Sequence, residues 1–451
     1  MEKDANRIKK NYLFLGSLPG LVYFYGLFPG RIYRDSASLI ELMKDGQSSD
    51  QWTALYFRYL QLLTMNGRFL FAVSAVNLAL LIYGIYRLIQ SLNLEEKIKR
   101  RIFVILAWSP FIGVFGMTVG RDTVATAGIL LLTSQMIQLS EGRRLSGWTQ
   151  RIVLSFSIIL TCMSILGCAF LLALSLFFFL KSHKFLSLAI FILVAFNLTL
   201  MSSVLQVSHH SEKLYLANVL GDMKCIAQHP DAIISENQWN ELSKLGSIEL
   251  WKEPKSCWLA DYSYFALESA SVNSGKTLSL WKELFIQNPQ ISIVSRIQRS
   301  SVALPPIFFS PPPNMIEMNY SLPVGLGTQD DLQKFSELFK TSVDSKYFEN
   351  TELPMQSTLE SLLLFVALIF NQNSQVWGWA GLWISVALLF GRRLTRLTRA
   401  QFFLALLPLI FTHVVVVLAS PAPNPRYLMA STLLGVTILI ARISNKDQLL
   451  K

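Results

Sequence analysis

Three short stretches place ionisable side chains at the ends of apolar runs: FPGRIYRDS (28–36), TVGRDT (118–123) and NPRYLMAS (424–431). An acid at the bilayer centre costs about 2.5–3.5 kcal/mol on insertion scales, so ionisable groups beside apolar runs call for a reason. Asp35 comes five residues after the first run, Asp122 sits in the turn between the third and fourth, and Arg426 opens the last. Each also has an ordinary reading. Asp35 can be a helix N-cap or an interfacial charge, Arg121–Asp122 a local ion pair closing a turn, and Arg426–Tyr427 an interfacial anchor. His209 and His210 are metal ligands by residue type only, since adjacent histidines point apart. The chain holds no Gly-rich phosphate loop, HExxH, GxSxG or paired CxxC. ATP-driven transport and common hydrolase chemistry therefore have no support from sequence. What remains is charge at membrane boundaries.

The elements that must hold these residues are apolar. Of 451 residues, 52% are hydrophobic and 15% charged, with a mean hydropathy of +0.41. The apolar runs are roughly 11–30, 69–88, 102–119, 124–140, 152–181, 185–207, 356–371, 376–391, 401–419 and 427–442. Their lengths predict an all-α polytopic membrane protein with about 10–11 membrane helices. The first run follows Lys3, Arg7, Lys9 and Lys10 but precedes no small-x-small cleavage site, so it reads as a retained span. The net charge of +11 lies in short loops between runs, which argues for cytoplasmic loops and against nucleic acid as the partner.

Those loops are Lys97/Lys99/Arg100/Arg101, Arg143/Arg144/Arg151, Lys181/Lys184 and Arg392/Arg393/Arg396/Arg399. Placing them in the cytoplasm with the N-terminus puts 31–68, Gly120–Thr123, 208–355 and 420–427 on the opposite face. Run 152–181 must then start and end in the cytoplasm, as two short helices hinged near Gly167. Run 356–391 must cross an odd number of times, with 356–371 re-entrant or interfacial. A rival topology makes 152–181 one long span and 208–355 cytoplasmic. Loop charge barely separates the two, because long loops obey the positive-inside rule poorly.

Segment 208–355 is long enough for a small domain. It mixes amphipathic stretches such as LWKELFIQNPQISIVSRIQ with the proline-rich LPPIFFSPPPN, which excludes helix locally. The expected division is 1–207, 208–355 and 356–451. Cys162 and Cys168 sit in an apolar run as packing residues. Cys225 and Cys257 lie in the polar segment, and spacing alone leaves their pairing open.

FPGRIYRDS resembles the PG…DS opening that follows the first span in bacterial membrane proteins of the GT-C glycosyltransferase superfamily. The next stretch, GQSSDQWTALYFRYL, keeps Gly46, Asp50 and Trp52 of that group's pattern and departs from it by lacking His-Pro. TVGRDT is similar to its second acidic turn, and NPRYLMAS to the Arg-Tyr motif that opens a late span. The stretches LANVLGDMKCIAQHPDAIISENQWNELSKLGSIELWKEPKSCW and LWKELFIQNPQISIVSR resemble its outer loop. The resemblance implies a seven-span module with a catalytic first outer loop, an extracytoplasmic, mainly helical loop domain after the seventh span, and a Cys225–Cys257 disulfide.

It also implies a polyprenyl-phosphate-linked sugar donor. The sugar passes with inversion to an acceptor hydroxyl on a glycan, lipid or protein, at the outer face of the cytoplasmic membrane. Asp35 is then the expected general base. Arg426 is the expected phosphate ligand, with Arg121 or Arg34 in support. Asp122 binds the acceptor or orients an arginine, and Tyr427 and Asp50 complete the expected site. Some branches of the superfamily use a divalent metal; nothing in this sequence requires a cofactor.

Three other readings stand beside this one. A lipid-linked polysaccharide polymerase or ligase shares the bulk features and relies on outer-loop arginines. A transporter or flippase predicts charges inside spans and repeated halves, and neither is present. A non-catalytic scaffold would use the long segment to bind a partner.

Overall fold

The apolar periodicity folds as helix almost throughout. The structure is a computed structural model that describes residues 2–28, 30–32, 36, 39, 40, 43, 48, 49, 53–65, 69–142, 147–181, 183–199, 207, 208, 216–252, 273–305, 358, 359, 361–363, 365, 376, 378–419 and 425–444. Among these, four stretches are long and apolar enough to cross a membrane: Phe71–Ser91, Arg121–Ser140, Arg399–Ala419 and Arg426–Ser444.

The first half runs α1 (Glu2–Gly26), β1 (Arg31–Ile32), β2 (Ser48–Ser49), α2 (Ala54–Thr64), α3 (Leu70–Ser91), α4 (Glu96–Ala107), α5 (Pro110–Gly116), β3 (Thr118–Val119), α6 (Arg121–Ser140), α7 (Trp148–Thr161), α8 (Ile165–Leu180), α9 (Lys184–Thr199) and β4 (Val207–Ser208). Run 102–119, read from sequence as one span, is two helices. Pro110 has no N–H to donate and disfavours helix at the residue before it, so α4 ends and α5 starts afresh at Pro110. Run 152–181 is likewise two helices, broken at Cys162–Ser164 and followed by Gly167 in the first turn of α8. At 14 and 16 residues, these helices are ~21 and ~24 Å long, short of the ~30 Å hydrocarbon core. A Cβ on Gly167 would stand 1.8 Å from the Thr161 carbonyl oxygen, so only glycine lets the second helix start this close to the first.

The long polar segment contributes α10 (Ala217–Gln228), α11 (Glu236–Leu245), α12 (Ile248–Lys252), α13 (Ser274–Gln287), α14 (Pro289–Arg299) and a 3-10 turn, Ser301–Ala303. Its own core gathers Leu220, Met223, Ile226, Leu242, Trp251 and Leu284. Ser235 and Gln238 form a reciprocal capping box at the start of α11. The chain closes with α15 (Ala380–Phe390), a 3-10 turn Gly391–Leu394, α16 (Arg399–Ala419), a 3-10 turn Pro425–Leu428 and α17 (Met429–Ser444). At 11 residues, α15 is ~16 Å long and too short to span alone.

The bundle has two chemically distinct ends. At one, the Asn93 N–H donates to the Leu394 carbonyl (2.7 Å) and the Arg396 N–H to Glu141 Oε1 (3.2 Å), joining the turn before α4, the end of α6 and the basic turn before α16. At the other, β1 pairs in parallel with β3, and β2 with β4. This brings the two ends of the first loop beside residues 118–119 and 207–208. Gly30 makes the entry to β1 feasible. Its φ is +122°, and a Cβ there would meet Ser74 Oγ at 1.8 Å.

Candidate functional site at the bundle end

Asp122 lies in the first turn of α6, after an extended Gly120. Unpaired N–H groups and the helix dipole favour an anion at this position. Its Oδ2 lies 3.3 Å from Arg426 Nε, with the two side chains only 6% and 14% exposed. The Nε–H is not aligned on the carboxylate, so the contact is an ion pair rather than a hydrogen bond. Ser164 Oγ donates to Asp122 Oδ1 over a long 3.5 Å. Three distant parts of the chain thus meet: the start of α6, the break between α7 and α8, and the turn that opens α17. The Arg426 guanidinium stands 5.4 Å from the centroid of the Tyr427 ring, at cation–π range.

Buried amides and hydroxyls hold this end in place. Asn77 Nδ2 donates to the Thr118 carbonyl (3.0 Å), and its Oδ1 accepts from the Tyr59 hydroxyl (2.6 Å). The first loop's return to helix is therefore tied to the strand that precedes Asp122. Thr53 caps α2 and donates to the Met163 carbonyl at 2.9 Å. Asn197 bridges the same region, donating to the Cys162 carbonyl (2.8 Å) and accepting from the Leu55 N–H (3.2 Å). These bonds satisfy backbone groups that the helix break at 162–164 leaves without intrahelical partners.

The helical domain packs onto the same end. Val302 and Ala303 form a cluster with Ala380, Val416 and Leu428, with Tyr427 against its edge. The buried His413 ring in α16 reaches the Ala303 carbonyl and Ser431 Oγ, each at 2.9 Å. Asp222 of α10 is fully buried and holds Arg299 (2.8 Å) and Arg296, while Trp281 Nε1 donates to it at 3.1 Å. Burial pushes the pKa of Arg299 down and the Asp222 carboxylate opposes this; a guanidinium so shifted still stays charged. Arg296 also donates to the Leu418 carbonyl (3.1 Å) and Asn218 to the Ala419 carbonyl (2.6 Å). The last turn of α16 is thus capped by the domain.

Of the residues singled out in the sequence, Asp122, Arg426 and Tyr427 come together, with Arg121 beside Asp122 in α6. Asp35, Arg34, Asp50, Cys257 and the His209–His210 pair lie outside the described residues. Cys225 is disulfide-bonded. Cys162 and Cys168 are free and buried, with sulfurs 3.8 Å apart. Among the described residues, no group of three or more His, Cys, Asp or Glu is placed to hold a metal ion. Sequence reasoning missed Ser164, Asn77, Asn197, Tyr59 and His413. For Asn77, Asn197 and His413 the signal was present, since each is a strongly polar side chain inside an apolar run. The chain matches no family model, no curated protein and no solved structure.

This arrangement offers a guanidinium oriented by a carboxylate, in a largely desolvated setting at the junction of bundle and domain. Such a group suits a substrate that carries or develops negative charge, because electrostatic attraction strengthens as water is excluded.

Proposed function

We propose that the protein is a multi-pass inverting glycosyltransferase of the cytoplasmic membrane. It would take a sugar from a polyprenyl-phosphate donor and pass it to an acceptor hydroxyl at the outer face, where the helical domain would stand. The observation that carries this reading is the buried Asp122–Arg426 pair. It sits at the start of α6, while the end of α6 meets the basic turn before α16 at the other end of the bundle.

The acceptor oxygen attacks the anomeric carbon from the face opposite the phosphate. The carbon–oxygen bond to phosphate breaks, and its electron pair stays on the lipid phosphate. The acceptor proton passes to a carboxylate, for which Asp35 is assigned on the family resemblance. Arg426 stabilises the charge that grows on the leaving phosphate, through the planar fork that suits it. Asp122, engaged with Arg426 and Ser164, orients that guanidinium and is not the base.

The test follows labelled sugar from a total lipid extract into endogenous glycans, in membranes carrying Asp35→Asn or Arg426→Lys. Asn keeps the size and an acceptor atom of Asp but takes no proton, so transfer should collapse. Lys keeps the charge and loses the fork, so transfer should fall by roughly a hundredfold. Intact transfer in both variants, at normal expression, sinks the proposal. Loss with Arg426→Lys alone favours the arginine-dependent polymerase or ligase.

A further inference from the structure

The polarity of α14 is inverted. A helix on the surface of a water-soluble domain buries its apolar stripe and turns its polar face outward. Helix α14 buries Ser292 (0% exposed), Ser295 (3%) and Arg299 (0%), and turns Ile293 (51%) and Val294 (46%) outward. Arg299 is buried for a stated purpose, the ion pair with Asp222, and the serines donate back to their own helix at the Asn288 and Ser292 carbonyls. The outward isoleucine and valine have no such account within the domain. Ile286 at the end of α13 is also exposed, at 64%.

The position of α14 says what medium meets that face. Arg296, two residues beyond Val294, donates to the Leu418 carbonyl in the last turn of α16. That helix is of spanning length, and its Val414 and Leu418 are themselves exposed. Helix α14 therefore meets the last turn of a helix long and apolar enough to cross a membrane. A helix there with outward aliphatic side chains has the character of an interfacial helix.

We propose that α14 is a membrane-surface anchor, with Ile293 and Val294 seated at the boundary between lipid headgroups and acyl chains. It fixes the helical domain over the end of the bundle, and with it the Val302–Ala303 wedge that packs beside Tyr427. This rests on the membrane reading of the chain, and the experiment separates the two.

Single cysteines replace Ile293, Val294, Phe411 or Asn237 in the full chain, which is nitroxide-labelled and reconstituted in phosphatidylethanolamine–phosphatidylglycerol vesicles. Collision with molecular oxygen, which concentrates in lipid, is compared with collision with a water-soluble nickel chelate. Phe411, exposed on α16, reports on the membrane reading, and the exposed Asn237 on water. The expected result is an oxygen-to-nickel ratio at 293 and 294 several-fold above that at 237 and close to that at 411. A water-like ratio at 293 and 294 with a lipid-like one at 411 overturns the anchor alone. A water-like ratio at 411 removes the membrane reading and the anchor with it. Low collision with both reagents at 293 and 294 means protein covers the face, from this chain or another, and also overturns the proposal.

Discussion

Removing one partner from a buried ion network leaves the other charge without compensation. Asp222 has no exposed surface and Arg299 none, and their pairing also orders Arg296 and Trp281. Asp222→Asn should therefore destabilise the helical domain by about 3–5 kcal/mol, read as a lowered midpoint in thermal or urea unfolding of the purified protein. An unchanged midpoint would mean that water reaches the network and the burial is not real. Nothing in the sequence marked Asp222, because an acid in an amphipathic helix reads as a solvated charge. Asp122 and Arg426 were legible because they flank apolar runs, where a charge is conspicuous. Ser164 was not, since a serine in a greasy stretch carries no such penalty.

At the scale of elements, the site depends on where helices stop. The break at Cys162–Ser164 sets Ser164 at the height of Asp122 instead of burying it mid-bundle. Gly167 keeps the two half-helices in contact there. Gly167→Val would force its Cβ onto the Thr161 carbonyl oxygen, while a Cβ on Gly147, in the loop before α7, meets nothing within 4 Å. Overpacking of this kind costs about 1–3 kcal/mol. Gly167→Val should lower the thermal midpoint in detergent and reduce sugar transfer, with Gly147→Val close to wild type as the control. Equal midpoints for the two variants would show that the helices part without penalty. The division of 152–181 was one of two readings of the sequence, reached by placing the basic loops at both its ends on one side of the membrane; one long span was the other. The hinge expected near Gly167 lies a few residues earlier, at Cys162–Ser164, where no proline marks it. At Pro110, by contrast, the break between α4 and α5 stood in the sequence, but the apolar run alone concealed it.

For the whole molecule, the two ends of the bundle differ in charge and in what packs on them. Lys97 lies near the Asn93–Leu394 contact at one end of the bundle, and Asn240 lies on the helical domain at the other; both are exposed. With cysteine at one position or the other, a membrane-impermeant maleimide applied to intact cells should label Asn240→Cys and leave Lys97→Cys unlabelled until the cells are broken. The reverse pattern would turn the molecule over and place the helical domain in the cytoplasm. Labelling of both in intact cells would rule out a sealed bilayer between them.

The sequence by itself determined the helical class, the apolar runs and the residues whose charge is expensive near lipid. These are local properties, set by hydropathy over ~20 residues and by proline and glycine at particular positions. Only the tertiary structure decided that Asp122, Ser164 and Arg426 share one site, that Asn77 and Asn197 bind the loops around it, and that α14 faces outward with the wrong polarity for water. Those facts depend on which helices pack and at what height each one ends. That is a sum of many weak contacts between distant segments, and no single stretch of sequence records it.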